Sequence, residues 1–125
     1  MPRDQLSEDA NERIFREQIV PMLLTGAARQ ANPVVVIVGG QTGAGKTAIT
    51  SKVKRALGQA GSFLNINMDF YNPFHPQYHV WRTENEATAS AKVRPDGDRW
   101  WDKAQRYAIE QRCHVVLESA NAAAV

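Results

Sequence analysis

The sequence predicts an α/β domain built on a parallel β-sheet with helices on both faces. Two observations carry that prediction. Val34 to Val38 is an unbroken β-branched run with no polar alternation, as expected of a strand covered on both sides. Segments of helical apolar spacing then alternate along the chain with strand-like segments, the pattern of strands joined by crossover helices. The chain has 125 residues, 43% hydrophobic and 22% charged, which suits one globular domain and argues against two.

Ser7 to Leu24 reads as a helix because Ile14, Phe15, Ile19, Met22 and Leu23 recur at three- and four-residue spacing. Pro21 should kink or end it. The small, polar stretch GAARQANP then reads as a loop feeding the Val34–Val38 strand. From Lys46, Ile49, Val53 and Leu57 trace one helical face, with Gly58 as the expected stop. Phe63 to Met68 alternates Leu64, Ile66 and Met68 with Asn65 and Asn67, predicting a second strand that ends at Asp69. Asp69 to Arg94 holds Pro73, Pro76 and little periodicity, and is expected to be mostly loop with at most a short helix. Beyond Pro95, Trp101, Ala104, Ala108 and Gln111 predict a helix with Asp96 as N-cap and Trp100 and Tyr107 flanking its face. Cys113 to Leu117 closes as a third strand ending at Glu118. The organisation that follows is a helical segment over residues 1–32 packing on a core over residues 33–125.

Fifteen Lys and Arg against thirteen Asp and Glu give a formal charge of +2, too mild an excess to signal a nucleic-acid partner. The longest apolar run falls far short of the ~20 residues of a membrane span, so no membrane association is expected. The start, MPRDQLSEDANER, has charges of both signs where a signal peptide needs an apolar stretch. With Cys113 as the single cysteine, no intrachain disulfide can form, and a cytoplasmic location is expected.

Gly40, Gln41, Thr42, Gly43, Ala44, Gly45, Lys46 and Thr47 fit G-x-x-x-x-G-K-[ST], the phosphate-binding loop of P-loop NTPases. Its glycines let backbone N–H groups turn inward around phosphate oxygens, and the following helix adds its positive end. Lys46 can reach the β- and γ-phosphates of ATP, and the Thr47 hydroxyl can ligate Mg²⁺. The motif lies between a predicted strand and a predicted helix, the context it requires.

In a parallel sheet, ligands bind beyond the carboxyl ends of the strands. Gly40, Asp69 and Glu118 each follow one predicted strand end. If those strands are neighbours, both carboxylates face the γ-phosphate, where an acid can accept a hydroxyl proton or hold Mg²⁺ through water. Read singly, Asp69 is equally a turn residue and Glu118 equally a solvated loop acid.

The stretch VIVGGQTGAGKT from Val36, INMDFYNPFHPQY from Ile66, and RYAIEQRCHVVLES from Arg106 together resemble the zeta toxin family of bacterial toxin–antitoxin kinases. The resemblance covers most of residues 33–120. It implies a nucleotide-kinase-like three-layer fold and transfer of the γ-phosphate of ATP, with Mg²⁺, to the 3′-hydroxyl of UDP-N-acetylglucosamine. By resemblance Lys46 and Thr47 are the phosphate-loop lysine and magnesium-side hydroxyl, and Asp69 is the base for the sugar hydroxyl. Glu118 matches the acid of the third strand end, toward the metal and the substrate, and Asp102 matches a helix acid near the sugar. His75, beside Pro76, reads either as part of the substrate loop or as a histidine that fixes a proline turn. An epsilon-type antitoxin is the implied protein partner.

Three departures from the family pattern stand out. Asn67 occupies the first acid of an Asp-x-Asp strand end, Asn72 replaces a frequent basic residue, and Ser119-Ala120 replaces Gly-Thr after the third-strand acid. Family members continue beyond the point matching Val125 with further strands and an arginine-bearing lid, so the expectation is a chain incomplete at its C-terminus. The rivals are another small-molecule kinase and a nucleotide-binding remnant without transfer. A GTPase-like switch is disfavoured because no N-K-x-D segment is present. Trp100 and Trp101 read as core or as a base-stacking surface, and Cys113 as a small buried hydrophobe.

Overall fold

The computed structural model describes residues 5–39 and 46–119, and of residues 46, 47 and 60 the backbone alone. Ser7 opens the first helix, its hydroxyl accepting the Ala10 N–H at 3.1 Å. Helix α1 (Glu8–Ile14) runs through one π turn (Phe15–Ile19) into α2 (Val20–Leu23). Pro21 has no N–H to offer the Glu17 carbonyl, and the wider turn falls on that stretch. The helix continues two residues past Pro21 and stops at Leu24. Ile14, Phe15, Ile19 and Leu24 are buried, whereas Met22, expected on the same stripe, is exposed.

Strand β1 (Val35–Gly39) is followed by α3 (Lys46–Ala60) and β2 (Phe63–Asn67). Helix α3 passes through Gly58, which therefore does not stop it. The turn falls at Gly61, where φ is +140°, a backbone angle that only glycine adopts without strain.

Two short 3-10 turns, Met68–Phe70 and Asn72–Phe74, lead into α4 (Tyr78–Glu84) and α5 (Glu86–Gln111). The stretch expected to be mostly loop is thus largely helical. Asn85 separates the two helices and caps the second, its side-chain oxygen accepting from the N–H groups of Ala87 and Thr88. Pro95 lies inside α5, and Asp96, expected as an N-cap, is a fully buried mid-helix residue. The apolar stripe explains this: Ala89, Val93, Gly97, Trp100, Ala104 and Ala108 are all buried at helical spacing on both sides of the proline. Arg112, in the left-handed region at φ 56°, ends α5 and turns the chain into β3 (His114–Ser119).

The sheet has the order β1-β3-β2, and both pairings are parallel. Leu64, Ile66, Val115 and Leu117 face the N-terminal helix and α5, with Trp100 and Trp101 filling the layer between. On the opposite face Val38 and Val116 pack against Leu57 of α3, supported by Val36, Val53 and Phe63. Three layers result, helices on both faces of a parallel sheet, as the sequence predicts. Strand β1 departs in part: Val35 and Ile37 are exposed, because the α5 layer lies over β3 and β2 rather than over β1. All of β3 is buried. No helix among the described residues is long and apolar enough to cross a membrane.

Candidate functional site

Parallel pairing brings the carboxyl ends of all three strands to one edge. Val38 is level with Glu118, Gly39 with Ser119, and Asn67 with Glu118. The connection from β1 to α3 leaves from this edge. It carries Gly40, Gln41, Thr42, Gly43, Ala44 and Gly45, which lie outside the described residues, as do the side chains of Lys46 and Thr47. Helix α3 starts at Lys46, so the positive end of its backbone dipole lies at the end of that connection.

Glu118 lies within β3 rather than after it, and is buried. Its side chain is on the α3 side of the sheet, where Lys54 Nζ comes within 3.2 Å of Oε2. The approach is an ion contact without hydrogen-bond alignment: Oε2 has no hydrogen-bond partner among the described residues. Next along the strand, Ser119 points to the opposite face and donates to Met68 Sδ at 3.3 Å. Lys54 escaped the sequence reading. Its signal is its position one turn before Leu57, which packs against the sheet.

Asp69 sits two residues past the end of β2 on the first 3-10 turn and is exposed. Asn67 Oδ1 accepts the Asp69 N–H at 2.9 Å, so the residue that departs from an Asp-x-Asp pattern makes the bond an aspartate there would make. An exposed carboxylate at this edge is free to meet a hydroxyl from solvent. Just beyond it Tyr71 is buried in the main core, and burial pushes its phenol well above the ordinary tyrosine range.

His75 and Asp102 each have partners of their own. His75 is 2% exposed, packed against the Trp81 ring with centroids 4.7 Å apart, and its Nδ1 accepts the Gln77 N–H at 3.1 Å. Of its two sequence readings, this is the geometry of the histidine that fixes a proline turn. Asp102 is exposed on α5 and pairs with Arg106 one turn on, at 2.9 Å. Trp100 and Trp101 are core, and Trp100 donates its indole N–H to the Asn11 carbonyl at 3.0 Å. Cys113 is buried, and burial raises its thiol pKa.

Among the described residues no cluster of three or more His, Cys, Asp or Glu could hold a metal. The fit to a divalent cation therefore rests on Glu118. A buried carboxylate oxygen without a hydrogen bond is a hard donor of the kind Mg²⁺ takes, directly or through water.

The zeta toxin family model matches residues 22–124. Five chains of solved structures also match. One comes from work on the PezAT chromosomal toxin–antitoxin system of the human pathogen Streptococcus pneumoniae. It superposes with a TM-score of 0.80 at 18% identity, over 96% of this chain and 48% of that one. The chain thus spans about half the length of that relative, and the likeness establishes the fold. No curated protein matches.

Proposed function

From the premise that this chain belongs to the zeta toxin family, we propose that it is an ATP-dependent phosphotransferase. The acceptor proposed is the 3′-hydroxyl of UDP-N-acetylglucosamine or a related sugar nucleotide. The observation that carries the reading is the strand order β1-β3-β2 with all strands parallel. A phosphate-loop motif follows β1, an exposed aspartate follows β2, and a buried glutamate stands on the strand between them.

In this reading the amides of Gly40 to Gly45 and the Lys46 ammonium bind the β- and γ-phosphates. Asp69 accepts the proton of the sugar hydroxyl as that oxygen attacks in line. Thr47 and, through water, Glu118 would hold Mg²⁺, which neutralises charge on the phosphates when bound. His75 and Asp102 are assigned to the substrate by resemblance alone. An epsilon-type antitoxin is the proposed protein partner, and the cytoplasm the proposed compartment.

The test is phosphoryl transfer from labelled ATP to UDP-N-acetylglucosamine by the purified chain, with ATP binding measured in parallel. Lys46→Ala should abolish transfer, and unchanged turnover would refute the phosphate-loop assignment. Asp69→Asn should keep ATP binding and lose transfer. If ATP affinity collapsed instead, the carboxylate would belong to metal binding or to the fold. A second acceptor class is favoured by Asn67 and Ser119 standing where the family pattern has other residues, so other sugar and nucleoside hydroxyls belong in the same assay.

A further inference from the structure

The segment that carries Asp69 is held internally by weak, local bonds. Asp69 N–H meets Asn67 Oδ1 at 2.9 Å, Phe74 N–H meets the Tyr71 carbonyl at 3.1 Å, and His75 N–H meets the Asn72 carbonyl at 3.2 Å. None of these fixes the segment against the rest of the molecule. Apolar anchoring comes from Tyr71, buried in the main core with Met68 and Phe74 packed against it, and polar contacts come from α5. Asn72 lies so close to Gly97 that a methyl group placed there would sit 3.4 Å from Asn72 Oδ1. Beside it, the Asp96 carboxylate faces His75 Nε2 at 3.6 Å.

Asp96 is an unusual residue for a helix interior. It is completely inaccessible, and a buried carboxylate is costly unless donors surround it. Here Oδ1 accepts from Asn11 Nδ2 at 3.0 Å and from Arg99 at 2.6 Å, and Oδ2 accepts the Leu6 N–H at 3.0 Å. Nδ1 of His75 accepts the Gln77 N–H, and Nε2 is the ring nitrogen turned to Asp96, in electrostatic contact at 3.6 Å. One carboxylate therefore gathers the N-terminal segment, α5 and the segment after β2. The facing charged groups are accounted for as well: Arg99 also bonds Glu8 and the Leu6 carbonyl, and Lys103 bonds Glu8 and Asn11 Oδ1.

We propose that Asp96 is a positioning residue: acting through His75, it sets the segment that bears Asp69, and the N-terminal helix takes part by gripping the same carboxylate. That Asp69 is the group worth positioning rests on the phosphotransferase reading. The positional claim itself can be tested without it.

The experiment is native-state hydrogen exchange of the full chain, read on peptides covering residues 68–77, together with transfer kinetics. His75→Leu keeps bulk and removes the imidazole that faces Asp96. It should raise exchange of residues 68–77 by about tenfold or more while the β3 amides stay protected. His75→Gln, which keeps a polar group facing Asp96, should restore most of the protection. Asn11→Ala touches the carboxylate from the far side and should raise exchange over residues 68–77 as well as in α1. In transfer assays His75→Leu should lower kcat by about tenfold or more with KM for ATP nearly unchanged, since displacing a base affects the attack and not the phosphate loop.

Exchange over residues 68–77 that stays at the wild-type level in His75→Leu overturns the proposal. So does a rise shared equally by β3, which would mean general destabilisation, or an Asn11→Ala effect confined to α1. If the wild-type chain transfers no phosphate to any acceptor, the phosphotransferase reading falls, and the exchange results alone decide whether Asp96 sets the segment.

Discussion

Lys54 Nζ lies 3.2 Å from Oε2 of Glu118, joining the middle of α3 to the carboxyl end of the central strand. The helix that begins at Lys46 is therefore tied to the buried acid by a cation of its own. Lys54→Met should leave that carboxylate unpaired and cost about 1–3 kcal/mol in urea unfolding. The partial exposure of Lys54 keeps the cost below that of a fully buried pair. Adding Glu118→Gln should recover most of the loss, and a Lys54→Met protein as stable as wild type would show that the contact contributes nothing.

Two glycines close in sequence should respond to alanine with opposite signs. Gly58 lies inside α3, and an added methyl would meet only Phe63, at 3.9 Å. Gly58→Ala should stabilise by about 1 kcal/mol through helix propensity. Gly61, at φ +140°, would place a methyl 2.9 Å from the Gln30 side chain, and Gly61→Ala should destabilise by about 1–3 kcal/mol. Thermal unfolding of the two variants checks both, and a shift of the same sign in each would contradict the placement of the turn.

The Lys103 hydrogen bond, reinforced by Arg99, holds the Glu8 carboxyl below its ordinary value of 4.5. A carboxyl with a lowered folded-state pKa adds stability that is present above 4.5 and lost as the pH falls through the lowered value. Glu8→Gln should therefore be less stable than wild type at neutral pH, by less than about 1 kcal/mol because the side chain is largely exposed. The two proteins should converge in acid, and salt should narrow the neutral gap. A gap that instead widened in acid would reverse the sign.

Trp100 is completely buried and donates to the Asn11 carbonyl. Trp100→Phe removes that donor and leaves a void beside α1, so a loss of about 1–3 kcal/mol is expected. Loss of the α1 helical signal without a lowered global unfolding midpoint would mean that the indole anchors only the N-terminal helix.

The sheet was legible because its signals are local. The run ending at Val38, the alternation around Ile66 and the β-branched stretch at Val115 each announce a strand within a few residues. The glycine spacing from Gly40 to Thr47 is equally local, though that loop lies outside the described residues. What stayed hidden depends on contacts far away in sequence. Pro95 argues for a break, yet α5 passes through it because Ala89 and Val93 are held by α4 and Trp100 by the N-terminal helix. Asp96 looks like a cap when only its neighbours are considered. Apart from Arg99 one turn on, its partners, Leu6, Asn11 and His75, are remote in the chain. Lys54 is one of several basic residues on α3, and its place one turn before Leu57 marks the face it shares but not the acid it meets 64 positions later.

The strand order also has a kinetic consequence. Strand β3 lies between β1 and β2 but is the last of the three to leave the ribosome. Val35 pairs with Val115 and Phe63 with His114, so among the described residues neither earlier strand has a hydrogen-bonding neighbour until β3 emerges. At typical rates of synthesis β1 waits on the order of ten seconds for that neighbour. During that interval the nascent chain holds two unpaired apolar strands while its helices can already form. Sheet assembly is thus a single late event, and the window before it is when chaperone engagement or misassembly has its best chance.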